Sequence, residues 1–387
     1  MTSNVMGVAQ EKFKNIFGSV LTNVAPASNY RGETQNNRAV LQKLTVSDGE
    51  QHTLVSAEAI RSRLREMLRD ESGIKLNRSR VINPETTAKR QKKTQTDDSE
   101  TEEERKDQLT VEFADLPNRN EYADDLLFGF LMIDKDRKAD LQKRNGEKQG
   151  DSILRVNYAM SLDPFPSYNT YTMHQSPVAS PNSAYQNAGK SALIEREVHV
   201  TAFQYPFGLN LNDLRHVRGW EKDKKDDEKY VTRHWEELSD EEKTEKKRWV
   251  ALLLRTIGEL DGVAGNHART MYPFAPVSIV LRLTHRRAPE FDIYGFRPRR
   301  NGAPDESHRE LIEALRNGEF PEPSEFYFGG RIVKDNDWLK SIFEQTREGS
   351  PAPEAKSVHV YATAREAIEG VVGDAGLDRT KSQPEGR

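Results

Sequence analysis

Five runs rich in β-branched and aromatic residues set the fold class of this chain: Phe17 to Val24, Leu126 to Ile133, Ser152 to Met160, Glu195 to Phe203 and Ser278 to His285. Each reads as a strand. Two amphipathic helical patterns fall between them, over about 57–70 and about 240–260; the second is opened by the capping box Ser239 to Glu242 and followed by Gly262. The order strand, helix, strands, helix, strand predicts an α+β, ferredoxin-like unit. The strands stand too far apart in sequence for that unit alone, so insertions must separate them.

Composition shows where the insertions lie. Residues 86–107, TTAKRQKKTQTDDSETEEERKD, hold one Ala and otherwise only polar or charged side chains, too little apolar surface to offset the entropy of ordering. Glu221 to Lys229 is nine consecutive charged residues, five acidic and four basic, expected as a solvated face or loop. Residues 164–191 are rich in Pro, Ser, Asn and Tyr between two strand patterns and predict a hairpin-like projection. Beyond Arg300 one apolar segment, 358–372, is expected to form a strand and a helix. At 387 residues, 35% apolar and 31% charged, the chain has room for two or three domains but must expose much polar surface. Its 58 basic and 62 acidic side chains argue against a protein basic all over, while leaving a local basic groove open.

Several chemistries are excluded at this level. The chain has no Cys, so disulfides, thiolate zinc sites and cysteine nucleophiles are ruled out, which suits a reducing cytoplasm. No window approaches the roughly 18 apolar residues of a membrane span, so a cytoplasmic protein without a membrane partner is expected. The His residues are scattered and no HExxH occurs, so neither a metal site nor a cofactor is assigned. No Walker motif, GxSxG or dinucleotide fingerprint is present. Asp124 and Asp125, read on a strand, would point to opposite faces and could not share a substrate. Phe128, Gly129 and Phe130 partly match the aromatic strand of RNA recognition motifs, but Leu126, Leu127 and Ile133 break the pattern, and a buried strand is the plainer reading. No catalytic residue is assigned, and a binding protein is expected.

The segment Leu21 to Leu44, LTNVAPASNYRGETQNNRAVLQKL, is the hardest to explain as packing. Asn23, Ser28, Asn29, Tyr30, Arg31, Asn36, Asn37, Arg38, Gln42 and Lys43 alternate neutral donors with cations, a mixture suited to ribose hydroxyls and phosphates. A polar turn held by its own Asx and Ser bonds is the alternative. On the first helix, Arg61, Arg65 and Arg69 recur every fourth residue beside an apolar stripe, either tracking phosphates or pairing with Glu58 and Glu66 in solvent. In LDGVAGNHARTMYPFAP, 260–276, Gly262 and Gly265 permit a tight turn from which Asn266, His267 and Arg269 project.

Together these motifs resemble one family. SVLTNVAPASNYRGETQNNRAVLQKL, HTLVSAEAIRSRLRE (52–66), ADDLLFGF (123–130), EREVHVTAFQYPFGLN (195–210) and AGNHARTMYPFAPVSIVLRL (264–283) are similar, in order, to the DevR-like CRISPR-associated autoregulator family. That family supplies the repeated backbone subunit of type I Cascade complexes, here subtype I-B. The resemblance covers about two thirds of the chain and leaves out 71–118, 214–248 and most of the chain after 300.

It implies a hand-shaped subunit: a ferredoxin-like (RRM-like) palm, a finger insertion and a β-hairpin thumb. The expected division is palm in 1–70, 119–163 and 195–300 with a charged insert at 214–248, finger at 71–118, thumb at 164–194 and a C-terminal extension at 301–387. Copies are expected to stack head to tail on a CRISPR RNA and to expose its bases for pairing with a target DNA strand, so that the protein holds the backbone and pairing reads the sequence. Other Cascade subunits are implied as partners: the large subunit, the subunit at the guide 5′ end and the RNA-processing endonuclease. Carried over by position, Ser28, Asn29, Arg31 and Arg38 match the palm loop, Ser56 and Arg61 the first helix, and Asn266, His267 and Arg269 the glycine-containing loop. Asn23, Gln42, Lys43 and Arg65 join them by proximity, and Met173 and His174 by their place in the projection. Related type III subunits cleave RNA with a loop acid. Here Glu33 stands alone beside Arg31, so no nuclease activity is expected; an RNA-processing nuclease and a stand-alone RNA-binding autoregulator are the alternatives.

Overall fold

The computed structural model describes residues 14–27, 30–35, 38–71, 73–82, 109–133, 135–166, 170–175, 192–222, 228–263, 273–300, 304–320, 324–348 and 357–378. It divides into two compact units, one formed by 1–70, 154–213 and 240–387, the other by 71–153 and 214–239. The fold is mixed α+β, and the first unit is built on one large, mostly antiparallel sheet.

That sheet has nine strands. Asn15–Thr22 is central, flanked by Phe203–Leu209 and Pro276–Thr284, both antiparallel to it. Outward on one side run Ser324–Gly330 and then, in parallel, Val358–Tyr361. Outward on the other run Ala159–Ser161, Gln51–Val55 and Lys43–Thr45, with Leu154–Val156 also on Phe203–Leu209. The central strand alternates as its sequence requires: Ile16 and Val20 are fully buried on one face and Ser19 and Leu21 on the other.

Helices cover the sheet. Ala57–Arg69 buries Ile60, Leu64 and Leu68, the apolar stripe of the sequence, behind a Ser56 N-cap whose hydroxyl accepts from Ala59 N. It packs on Asp240–Gly258, which packs in turn on Ala364–Asp374. The opposite face carries a second core of Leu21, Val280, Phe326, Phe328, Leu311, Ile332 and Leu339.

Several sequence expectations are corrected. Ser152 to Met160 is two short strands, Leu154–Val156 and Ala159–Ser161. Glu195 to Phe203 spans the end of Ala192–Glu197, the strand His199–Thr201 and the first residue of Phe203–Leu209. Residues 301–387, expected as an extension, supply two strands of the main sheet, and Ser324–Gly330 was not anticipated. The expected charged insert 214–248 divides: His216–Lys222 and Glu228–His234 form a hairpin in the second unit, whereas the long helix of the first begins at Asp240. The strand and helix expected in 358–372 are present as Val358–Tyr361 and Ala364–Asp374.

The largest departure lies in the second unit. Leu126 to Ile133, expected as a strand, opens instead as the helix Ala123–Leu127 and keeps only Phe130–Leu131 as strand. The reason is the two aspartates. On a helical turn Asp124 and Asp125 converge rather than diverge: Asp124 accepts from Asn77 N at 2.7 Å and Arg78 N at 3.0 Å, and Asp125 from Asn77 Nδ2 at 2.8 Å and Asn118 N at 2.9 Å. Gly129, at φ +63 and with Gly150 O where a Cβ would lie, ends the turn. Both carboxylates are fully buried, so they organise the unit and meet no substrate. Burial, then the neighbouring Asp124, pushes the Asp125 carboxyl up to about 6.

Candidate nucleic-acid interface

Strand register brings the sequence's candidate segments to one end of the main sheet. Leu21 pairs with Gln204 on one side and Ser278 on the other, and Met160 pairs with Gln204. From that row the chain leaves into 23–43 and into 162–202, and it arrives at Pro276 from 262–275. Three segments far apart in sequence therefore share one rim.

Two of them interlace. The segment expected as a donor-rich loop is mostly strand: Ala25–Ala27, Tyr30–Gln35, Arg38–Leu41 and Lys43–Thr45. Thr170–Gln175 and Ala192–Glu197 form the expected hairpin, with Met173 opposite Ile194 and His174 opposite Leu193. Ala192–Glu197 then runs parallel to Arg38–Leu41, which pairs with Tyr30–Gln35, giving one four-stranded sheet. Ala25–Ala27 also pairs with His199–Thr201. Arg31, Arg38, Met173 and His174 thus lie on strands of a single sheet, their side chains outside the described residues. Ser28, Asn29, Asn266, His267 and Arg269 lie outside the described residues altogether.

The root of that sheet is pinned by buried polar groups. Glu197, 4% exposed, accepts from Lys43 Nζ at 2.6 Å and from Leu41 N at 2.9 Å. Lys43 also sits 4.2 Å over the Phe165 ring. Lys43 is thereby engaged in holding the two strands together. His199 is hydrogen-bonded to Thr53 Oγ1 at 2.9 Å and meets Phe165 edge-on. Burial lowers its imidazole below the ordinary range, against the opposing pull of Asp163. Thr201 donates to Asp163, and His52 Nδ1 lies 2.7 Å from Ser161 O.

The third segment is closed at its stem. Arg63 Nη2 donates to Asp261 Oδ1 at 2.7 Å and its Nε to Asp261 O at 3.0 Å. Asp261 bridges Pro273, and Gly262 turns the chain at φ +60. Phe274 stacks on Phe203 and Tyr205, whose hydroxyl donates to Phe274 O at 3.3 Å.

The remaining candidates do not all gather here. Asn23 is exposed at the rim and Gln42 half-buried. Ser56 serves as a helix cap. Arg61 Nη1 lies 3.5 Å from Leu154 O, and Leu154 pairs with Leu209 in the row of Ile16, the far end of the sheet. Arg65, four residues on, is half-buried along the same helix. Glu197 and His199 carry no local sequence signal, because each finds a partner more than a hundred positions away, and the Asp261 partner of Arg63 is equally distant although Glu66 lies beside it on the helix. Among the described residues no group of three or more His, Asp or Glu is arranged to hold a metal, and no helix is long and apolar enough to cross a membrane.

The comparisons agree with the resemblance read from the sequence. The chain is 28% identical over 320 residues to the CRISPR-associated protein Cas7/Cst2/DevR of Myxococcus xanthus (strain DK1622), across 83% of this chain and 87% of that protein. The chain is similar to the DevR-like CRISPR-associated proteins over most of its length. A chain of a solved CRISPR RNA-guided surveillance complex, pre-nicking, matches this chain over 93% of its length and over all of that chain, with a TM-score of 0.52 at 13% identity, a likeness of fold. No family model matches.

Proposed function

We propose that the chain is the RNA-holding backbone subunit of a type I CRISPR surveillance complex, of subtype I-B. The observation that carries this is the shared rim: segments 23–43, 162–202 and 262–275 emerge from one end of the main sheet, and two of them form one sheet bearing Arg31 and Arg38. The DevR relationship supplies the chemistry those segments serve. On this reading the large sheet is the palm, 71–118 the finger and Thr170–Gln175 with Ala192–Glu197 the thumb. Arg31, Arg38, Asn266 and Arg269 hold sugar and phosphate, and Met173 and His174 reach across the strand. Copies stack head to tail, present the guide to a target DNA strand, and meet the large subunit, the guide 5′-end subunit and the RNA-processing endonuclease.

The subunit is non-catalytic on this reading, with Glu33 a structural acid in Tyr30–Gln35. Binding to RNA should weaken with salt by a slope of roughly 0.7 per phosphate contact, and Arg31→Ala with Arg38→Ala should lower that slope by one to two contacts. An unchanged slope removes both arginines from the interface. Bound copies should increase with RNA length in sedimentation; one copy at every length indicates a stand-alone RNA-binding module. Metal-dependent shortening of bound RNA, lost in Glu33→Gln, indicates a nuclease.

A further inference from the structure

The end of the main sheet opposite that rim holds a cleft of about 720 Å³. Its floor is Phe17 on the central strand and Pro206 on the neighbouring one, and Ile293 and Pro289 form a wall. Phe17 lies opposite Gly208, where an added Cβ would come within 3.2 Å of the Phe17 ring. The missing side chain lets one side of the ring settle on the sheet, and Phe17 stays half-exposed while Asn15, Ser19 and Leu21 on the same face are buried.

Two guanidinium groups line the same space. Arg155 and Arg287 are exposed, and neither side chain has a hydrogen-bond or carboxylate partner among the described residues. Asn157 adds an exposed amide. The carboxylate in the lining, Asp213, is engaged by Asn210 Nδ2 at 2.8 Å. The wall is held in place: Ser19 Oγ donates to Ile293 O at 2.8 Å, Asn15 Nδ2 to Arg286 O at 2.8 Å, and buried Arg282 to Pro289 O and Glu290. Such a cleft is preformed and does not need a ligand to build it.

An aromatic floor with free arginines selects a ligand that is planar at one end and anionic at the other. An aliphatic carboxylate would use the cations but not the ring, and a neutral aromatic the ring but not the cations. The volume admits one nucleotide. We propose that this cleft binds a free nucleotide, with its base over Phe17 and its phosphate at Arg155 and Arg287. The inference stands on the cleft alone and does not require the RNA-holding role of the opposite rim.

The test is calorimetric titration of the full chain with uridine and adenosine 5′-monophosphate, against uridine and inorganic phosphate. The monophosphates should bind at least about tenfold tighter than either fragment, since a charge-assisted phosphate contact adds to stacking. Arg155→Glu with Arg287→Glu, both on exposed side chains, should weaken the monophosphates about tenfold or more without altering the melting temperature, and Phe17→Leu should weaken them by a smaller factor. Arg31→Ala with Arg38→Ala should leave them unchanged, which separates this cleft from the rim. No monophosphate binding, or binding indifferent to the paired charge reversal, overturns the proposal. So does self-association that the same reversal abolishes, which would make the cleft a contact between copies.

Discussion

Glu197 and Asp125 are both carboxylates closed to water, and their surroundings differ in one respect. Glu197, at the root of the four-stranded sheet, faces Lys43 at 2.6 Å and a backbone N–H. Asp125, in the second unit, has another carboxylate beside it, Asp124; the nearest cation, Arg78, lies 3.3 Å from Asp124 and 3.9 Å from Asp125. Burial is the larger cause that raises the Asp125 carboxyl and the neighbouring Asp124 adds to it, whereas Glu197 has Lys43 as a partner and fastens two strands together.

The largest effect should come from breaking the fastener. Glu197→Ala leaves half-buried Lys43 over Phe165 without its carboxylate and Leu41 N without its acceptor, and should destabilise the first unit by about 2–4 kcal/mol in denaturant unfolding. On the proposed function, RNA binding should fall with it. A loss under about 1 kcal/mol would mean that strand pairing, not the ion pair, holds the root.

Next is the pH response of the second unit. Asp125 binds its proton more tightly when folded, at about 6 against an ordinary 3.8. Its protonated form contributes stability below the ordinary value, and that contribution is lost as pH rises through about 6, up to about 3 kcal/mol in all. Asp125→Asn should flatten this dependence in melts taken between about pH 4 and 8. A variant that keeps the wild-type slope would assign the titration elsewhere.

The smallest effect concerns His199, which sharpens the comparison from the cationic side. Its imidazole is lowered by burial, so the neutral form stabilises the fold above the ordinary range and that stability is lost as pH falls through the folded value. His199→Gln should remove this acid sensitivity and cost about 1 kcal/mol at neutral pH through the Thr53 bond. Sensitivity that survives the substitution would remove His199 as its source.

The sequence was most legible where periodicity is strong. The stripe of Ile60, Leu64 and Leu68 marked a helix, and Ser278 to His285 marked a strand that spans Pro276–Thr284 in the sheet. It misread Ala123–Leu127, because apolar Leu126 and Leu127 suit a buried strand as well as a buried turn, and only the N–H groups of remote Asn77 and Arg78 and of nearby Asn118 choose between them. Of the candidate site, 23–43 and 262–275 were marked by their polar donors, and 162–202 by its turn-rich composition between two strand patterns. Their common rim and the role of Lys43 were not.

What the chain order alone determined is therefore local: an α+β composition, the two principal helices, the central strands and the polar segments that cannot be core. Those features follow from side-chain spacing within a few turns or residues. The tertiary structure decided which segments meet. Leu41 finds Glu197 across 156 positions and Arg63 finds Asp261 across 198, and no local pattern encodes pairings at that separation because they exist only once the sheet has set its register.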